Sequence, residues 1–187
     1  MNKVSKELIP AAKEVLRKTF HNDIKVEFEH VYGSLEPVQA FPVPDFSTGK
    51  GDAAKGKITF QNLCTVCHSD GISGSDFGPS LASIGKKLTP EGLYNAIVYP
   101  NQGINLGYET SLITLTDGSS IKAIVTSKTS DAYLVKVLGE QEQRKYPHSQ
   151  VKSVQVLDKE SFMPPFPLPE QDMLDLVHYL SGLKKGS

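Results

Sequence analysis

A mainly α-helical domain with a small β module inserted into it is the fold class that this 187-residue sequence predicts. Three observations carry the prediction. Helix-start signals with apolar periodicity recur at Gly51–Leu63, Thr89–Tyr99 and Glu170–Leu183. Short strand-like runs are confined to residues 107–158, between the second and third of these segments. The first segment ends in two cysteines with a histidine directly after them. Composition fits a folded domain: 39% of residues are apolar, with 15 Gly besides. Charge is balanced, 20 Lys+Arg against 21 Asp+Glu, which argues against a nucleic-acid binder, since that role needs a basic field. No run approaches the ~18 apolar residues of a transmembrane helix, and residues 1–6 contain no apolar core of a signal peptide.

Residues 1–50 differ in character from the rest. Val4 to Phe20 reads as an amphipathic helix with Leu8, Ala12, Val15, Leu16 and Thr19 on one side and Pro10 as a start or kink. Ile24 to Glu29 alternates like a strand, and Glu36 to Pro44 is a Pro-rich connector. This segment is expected to be the tail of something upstream in a longer chain.

The helix over Gly51–Leu63 takes Asp52 as its N-cap, with Ile58 and Phe60 expected on its apolar side. A Gly/Ser loop, Ser69 to Phe77, follows the cysteines and leads into Gly78-Pro79-Ser80-Leu81. In the second helix Thr89 caps, Pro90 suits the first helical position, and Leu93, Ala96 and Ile97 are expected to be buried; residues 100–103 stop it. Pro169 opens the last helix, with Leu174, Val177, Leu180 and Leu183 on one face and Gly182 near its end.

Between the second and third helices, Leu112–Thr116 and Ile121–Thr126 flank Asp117-Gly118, a two-residue hairpin signal. Ala132–Leu138, Gln143–Tyr146 and Val151–Leu157 follow, with Pro147–Gln150 as a short turn before the last. Five short strands with that break suggest a small SH3-like or Sm-like barrel, or else an open meander.

Cys64, Cys67 and His68 form C-T-V-C-H, the C-x-x-C-H pattern of covalent haem attachment. Two thiols three positions apart on one turn each reach a vinyl group, and the next residue aims an imidazole at the iron. A thioredoxin-like pair would want a βαβ setting, and a zinc site would want further Cys or His at matched spacing. Pro79 lacks an N–H, so its carbonyl is free to accept from the His68 Nδ1–H, which fixes the ring and raises its basicity. Far along the chain, Met163 sits in the Pro-locked loop Ser161-Phe162-Met163-Pro164-Pro165-Phe166-Pro167. A thioether is a soft ligand suited to iron(II), and a His/Met pair raises the potential of a haem. Leu63, Phe77, Leu81, Ile84, Phe162 and Phe166 are candidates for the apolar wall around such a group, and Tyr108 for a bond to a propionate. Met173 and His178 read as packing or surface residues. His21, His30 and His148 are expected to be solvated, His148 being the reserve axial ligand.

Gly51 to Leu183 resembles a class I cytochrome c, through C-T-V-C-H, G-P-S-L, a middle helix, M-P-P-F-P and the closing E-Q-D-M-L-D-L-V-H-Y-L helix. With its long middle segment the chain is also similar to the haem-binding domain family of the Planctomycetes and Verrucomicrobia. Members of that family often end larger chains with helical repeats or sugar-dehydrogenase-like domains. The resemblance implies one covalent haem c with its iron, bound by Cys64 and Cys67, with His68 proximal, Met163 distal and the Pro79 carbonyl facing His68. It implies a cytochrome c domain in two pieces, 51–106 and 159–187, around a β module at 107–158 and after an N-terminal segment 1–50. The function expected is outer-sphere electron transfer with a redox partner protein, a dehydrogenase or terminal acceptor, by a monomeric fragment that is periplasmic or exported. The alternatives are a haem-based small-ligand sensor or enzyme with a displaceable distal Met, and a β module that itself binds a polysaccharide or partner.

Overall fold

The structure is a computed structural model that describes Leu8, Ile9, Ala11, Ala12 and residues 43–185. The chain divides into two compact units, Met1–Phe41 and Pro42–Ser187. Of the expected N-terminal helix, Ile9, Ala11 and Ala12 are described and are helical. Apart from these and Leu8, which is in a turn, Val4–Phe20, all of Ile24–Glu29 and the connector up to residue 42 lie outside the described residues.

Three α-helices and five strands build the described part of the second unit: α1 (Ala53–Leu63), α2 (Pro90–Val98), β1 (Thr110–Leu115), β2 (Ser120–Lys128), β3 (Ala132–Lys136), β4 (Arg144–Pro147), β5 (Val151–Leu157) and α3 (Glu170–Gly182). Asp52 caps α1, its carboxylate accepting from the backbone N–H groups of Ala54 and Lys55. Thr89 caps α2 through Gly92 N–H, with Pro90 in the first position. α3 starts after Pro169 with Glu170 and Asp172 in its first turn, where acidic side chains oppose the helix dipole.

α1 packs on α3 at unusually short range. A Cβ added at Gly56 would lie 1.9 Å from the Asp175 carbonyl oxygen, and one at Gly51 would lie 2.5 Å from the Leu174 carbonyl oxygen. The helices therefore meet backbone to backbone. Asp175, 2% exposed, is satisfied at this seam by Asp52 N–H and by Gln171 Nε2, each at 2.8 Å. Phe60, Leu93, Tyr94, Ile97, Val98, Met173, Leu174, Leu176, Val177 and Leu180 are buried on the three helices. Two expectations fail here. Ile58 is 58% exposed and Ala96 is exposed, because the close approach at Gly56 points α1 so that Phe60 alone of the pair faces inward, while α2 buries Tyr94 and Val98 instead of Ala96.

The sheet is antiparallel in the order β4-β3-β2-β1-β5, so the last strand returns to pair with the first. Ile113, Ala123 and Val135 form its core, with Leu115, Ile121, Val125, Tyr133, Val137, Tyr146, Val151 and Val154 packed against them. Side chains from both edge strands thus reach one centre, and register shifts at Thr114/Leu115 and Val125/Ser127 supply the bends. The first hairpin differs from its expected two-residue form. Leu115 N–H bonds Ser119 O at 2.8 Å, which leaves a three-residue loop, Thr116–Gly118. Asp117 keeps a negative φ and only Gly118 is left-handed at +89°, whereas a two-residue type I′ turn needs both central residues there.

Gly56→Ala is expected to destabilise the domain by about 1–3 kcal/mol, despite the ~1 kcal/mol that Ala gains over Gly in a helix. The melting temperature followed by far-UV circular dichroism should fall by about 2–4 °C per kcal/mol. An unchanged or higher value would mean that the helices have room to separate freely.

Candidate haem-attachment site

α1 delivers the Cys-x-x-Cys-His segment at its C-terminus. The helical turn continues through it: Cys64 N–H bonds Phe60 O at 2.8 Å, and Cys67 and His68 N–H both bond Cys64 O, at 3.1 and 2.8 Å. Cys64 and Cys67 are half-buried free thiols. Burial, then the neighbouring Cys67, pushes the Cys64 thiol up to about 11, and burial raises Cys67 as well. Both are therefore neutral at pH 7. Cysteines that work as redox nucleophiles have their pKa lowered, so this pair lacks the mark of a thioredoxin-like site.

His68 is held by its proximal neighbours. Its Nδ1 lies 2.8 Å from the Pro79 carbonyl oxygen. A carbonyl only accepts, so a proton sits on Nδ1, and Nε2 has no hydrogen-bond partner among the described residues. Gly78 makes room for the ring, since a Cβ there would come within 2.8 Å of His68 Cε1, and its N–H bonds Cys67 O at 2.6 Å. A half-buried imidazole with Nδ1 tied back and Nε2 free, one residue past two thiols, fits a covalently held haem: the thiols suit its vinyl groups and Nε2 its iron. Among the described residues, no three of His, Cys, Asp and Glu cluster so as to hold a metal ion by themselves.

Met163 lies half-buried in the loop between β5 and α3. Its N–H bonds Ser161 Oγ at 3.0 Å, Ser161 N–H bonds Asn101 Oδ1 at 2.9 Å, and Phe166 N–H bonds Ile97 O at 3.1 Å, so the end of α2 holds this loop. Phe162 meets Phe77 edge-on, with centroids 5.1 Å apart. That contact sets the Met163 segment beside the Phe77-Gly78-Pro79 segment. Phe77 is buried, and Leu63, Leu81, Ile84, Phe162 and Phe166 are half-buried. Val66 and Ile72 are exposed, Ile72 at 77%. Tyr108 is half-buried in the turn that enters the insertion, its N–H bonded to Asn105 O at 3.0 Å.

His148 corrects an expectation. It is half-buried in the β module, Nε2 3.0 Å from the Thr129 carbonyl oxygen and ring edge-on to Tyr133 at 4.8 Å, so its ring is partnered within the module rather than freely solvated. His178 is exposed and Met173 is in the core. His21 and His30 lie outside the described residues.

Sequence reasoning missed the anchor of the Gly/Ser loop. Asp70, 2% exposed, accepts from Ile72 and Ser73 N–H, each at 2.8 Å, and from Tyr179 OH at 2.7 Å. Burial pushes the Asp70 carboxyl up, but the hydrogen bonds from Ser73, Tyr179 and Ile72 together with the charge of Lys57 outweigh it and hold it below the usual carboxylate range. Burial, then Asp70, drives Tyr179 up to about 12. The signal in the sequence is Asp70-Gly71 with Ser73 two residues on, an Asx-turn pattern that does not reveal a partner in α3.

Residues 51–107 match the family described as cytochrome C oxidase, cbb3-type, subunit III. The match supports a cytochrome c domain in this chain, with the haem, iron and electron transfer that such domains carry. No curated protein shows a match to the chain. Among the described residues no helix is long and apolar enough to cross a membrane.

Tyr179→Phe should cost about 1.5–3 kcal/mol in urea unfolding at pH 7, the range for a hydrogen bond to a charged group. Because the folded phenol titrates near 12, above its ordinary 10.0, its contribution is whole below pH 10.0 and is lost as the pH rises through about 12. The gap between wild type and variant should therefore close above pH 10.0. A constant gap across that window would remove the phenol–carboxylate bond as its source.

Proposed function

We propose that this chain contains a monohaem c-type cytochrome domain that carries out outer-sphere electron transfer. In this reading Cys64 and Cys67 form the thioethers, His68 is the proximal ligand and Met163 the distal one. The observation that carries it is the His68 ring itself: Nδ1 bonded to Pro79 O and Nε2 left free, directly after the paired thiols. The further reading is a cytochrome c fold, residues 51–106 and 159–187, interrupted at 107–158 by a small β module, an SH3-like or Sm-like barrel or a meander, of the Planctomycetes and Verrucomicrobia type. It works in the periplasm or an exported setting as part of a larger dehydrogenase or redox chain.

Haem c, when bound, supplies an iron that takes up and releases one electron. The chain does the rest. Cys64 and Cys67 prevent loss of the group. Pro79 keeps the His68 ring in one tautomer and orientation. The Ser161 and Asn101 bonds hold the loop of Met163 in one arrangement, which a weak sulfur ligand requires. Phe77, Phe162 and the half-buried apolar side chains around them exclude water, which favours the less charged ferrous site. Held by His68 and Met163, the group would have no position left for a substrate, and the exposed Val66 and Ile72 next to the cysteine segment would offer a redox partner a small transient contact.

The test is expression with a cytochrome c maturation system. The purified protein should carry one haem that stays with the polypeptide through acidified organic solvent, and should show the near-infrared sulfur-to-ferric-iron band. The double variant Cys64→Ala/Cys67→Ala should release its haem to that solvent. Met163→Ala should keep the haem, lose the band, and lower the midpoint potential by on the order of 100 mV, a fraction of the ~0.8 V that axial ligands span. Haem that extracts from wild type overturns the attachment. A wild type that lacks the band and binds carbon monoxide rapidly when reduced is the signature of a sensor or small-ligand enzyme instead.

A further inference from the structure

We propose that Lys136, on β3 of the insertion, is a positioning residue that braces both segments carrying the axial ligands; the inference rests on His68 and Met163 being those ligands. Thr110, Ile124 and Lys136 are register partners across β1, β2 and β3, so they share one face of the sheet. It is the face opposite the module's own Ile113–Ala123–Val135 core. Even so, Thr110 and Ile124 are 1% and 3% exposed, so this row is covered from outside the module's core.

Lys136 ends the row, and its side chain is only 17% exposed. Its ammonium donates to the backbone carbonyl of Asp76 and lies 3.0 Å from the same residue's Oδ2. The carboxylate is 86% exposed and adds little by itself. The carbonyl contact matters more, because it fixes the backbone of the haem loop. Asp76 opens the run Asp76-Phe77-Gly78-Pro79. Pro79 O holds His68, Gly78 N–H holds Cys67 O, and Phe77 packs on Phe162, the neighbour of Met163. One ammonium from the insertion therefore restrains a short segment that touches the proximal ligand at one end and the distal loop at the other. Lys122, on the same sheet face, pairs with Glu160 near the start of the Met163 loop, but both side chains are about half exposed, so that tie is the weaker one.

The experiment is equilibrium titration of the ferric holoprotein with imidazole, which replaces the thioether, read at the near-infrared band. Lys136→Met should retain covalent haem and native far-UV circular dichroism, yet bind imidazole about 10-fold more tightly, the scale of one charge-assisted hydrogen bond. Asp76→Asn should change the affinity by about 2-fold or less, since the carbonyl stays. Lys136→Arg should restore the wild-type value, because its fork reaches both oxygens. If Lys136→Met does not fold, Lys136→Gln, which keeps most of the stem without the charge, carries the same expectation. Wild-type imidazole affinity in the folded Lys136→Met or Lys136→Gln protein overturns the brace and leaves the axial reading intact. Absence of the near-infrared band from wild type overturns the axial reading, and the brace falls with it.

Discussion

Where α1 crosses α3 at Gly56 there is no space for even a methyl group between one helix and the carbonyl of Asp175. That contact fixes the direction in which α1 ends, and the Cys64–His68 segment is the continuation of that end. Two polar ties from α3 then hold what the crossing has aimed. Asp175 accepts the N–H of Asp52 at the start of α1, and Tyr179 donates its hydroxyl to the carboxylate of Asp70 just past His68. Both acceptors are buried and hydrogen-bonded, as buried polar groups must be to be tolerated. The closing helix thus grips the cysteine segment before and behind, and small changes at the crossing reach the imidazole through rigid parts.

The chemistry of the site follows from what this frame leaves protonated and what it leaves free. The thiols are neutral because they are half out of water and close to each other. The His68 ring has one nitrogen committed to a backbone carbonyl and one uncommitted. Neither feature serves thiol–disulfide exchange, which needs a stabilised thiolate. Both fit the proposed attachment of haem, in which Nε2 would be the nitrogen offered to the iron. Pro79 suits its place because its fixed φ narrows the backbone arrangements from which its carbonyl meets the ring.

Much of this was legible because it is local. Asp52, and Thr89 with Pro90, announce helix starts by chemistry that acts over three residues, and the structure has those caps. β5 coincides with the run Val151–Leu157 because alternation is a property of the strand itself. What was not legible depends on partners remote in sequence. Ile58 reads as core by type, but the Gly56 crossing sets which side of α1 is covered. Asp70 and Tyr179 are 109 positions apart, and neither residue carries a sign of the other. Asp117-Gly118 has the composition of a two-residue turn, yet Asp117 avoids the left-handed region and the loop takes a third residue. His148 reads as a connector histidine, but the turn before β5 packs it on Tyr133.

The insertion lies between two parts that must stay close, the end of α2 and the Met163 loop, which Asn101 and Ile97 tie to Ser161 and Phe166. A long flexible excursion there would add closure entropy, slowly increasing with length. The β module avoids most of that cost through its topology. Its first and last strands are partners, with Thr110 opposite Leu157, so the chain enters and leaves at one place. Its own core, drawn from all five strands, adds packing within the excursion. The sheet face turned away from that core is itself buried at Ile124 and Thr110, and the Lys136–Asp76 contact ties its end to the segment that runs on to Phe77 and Pro79.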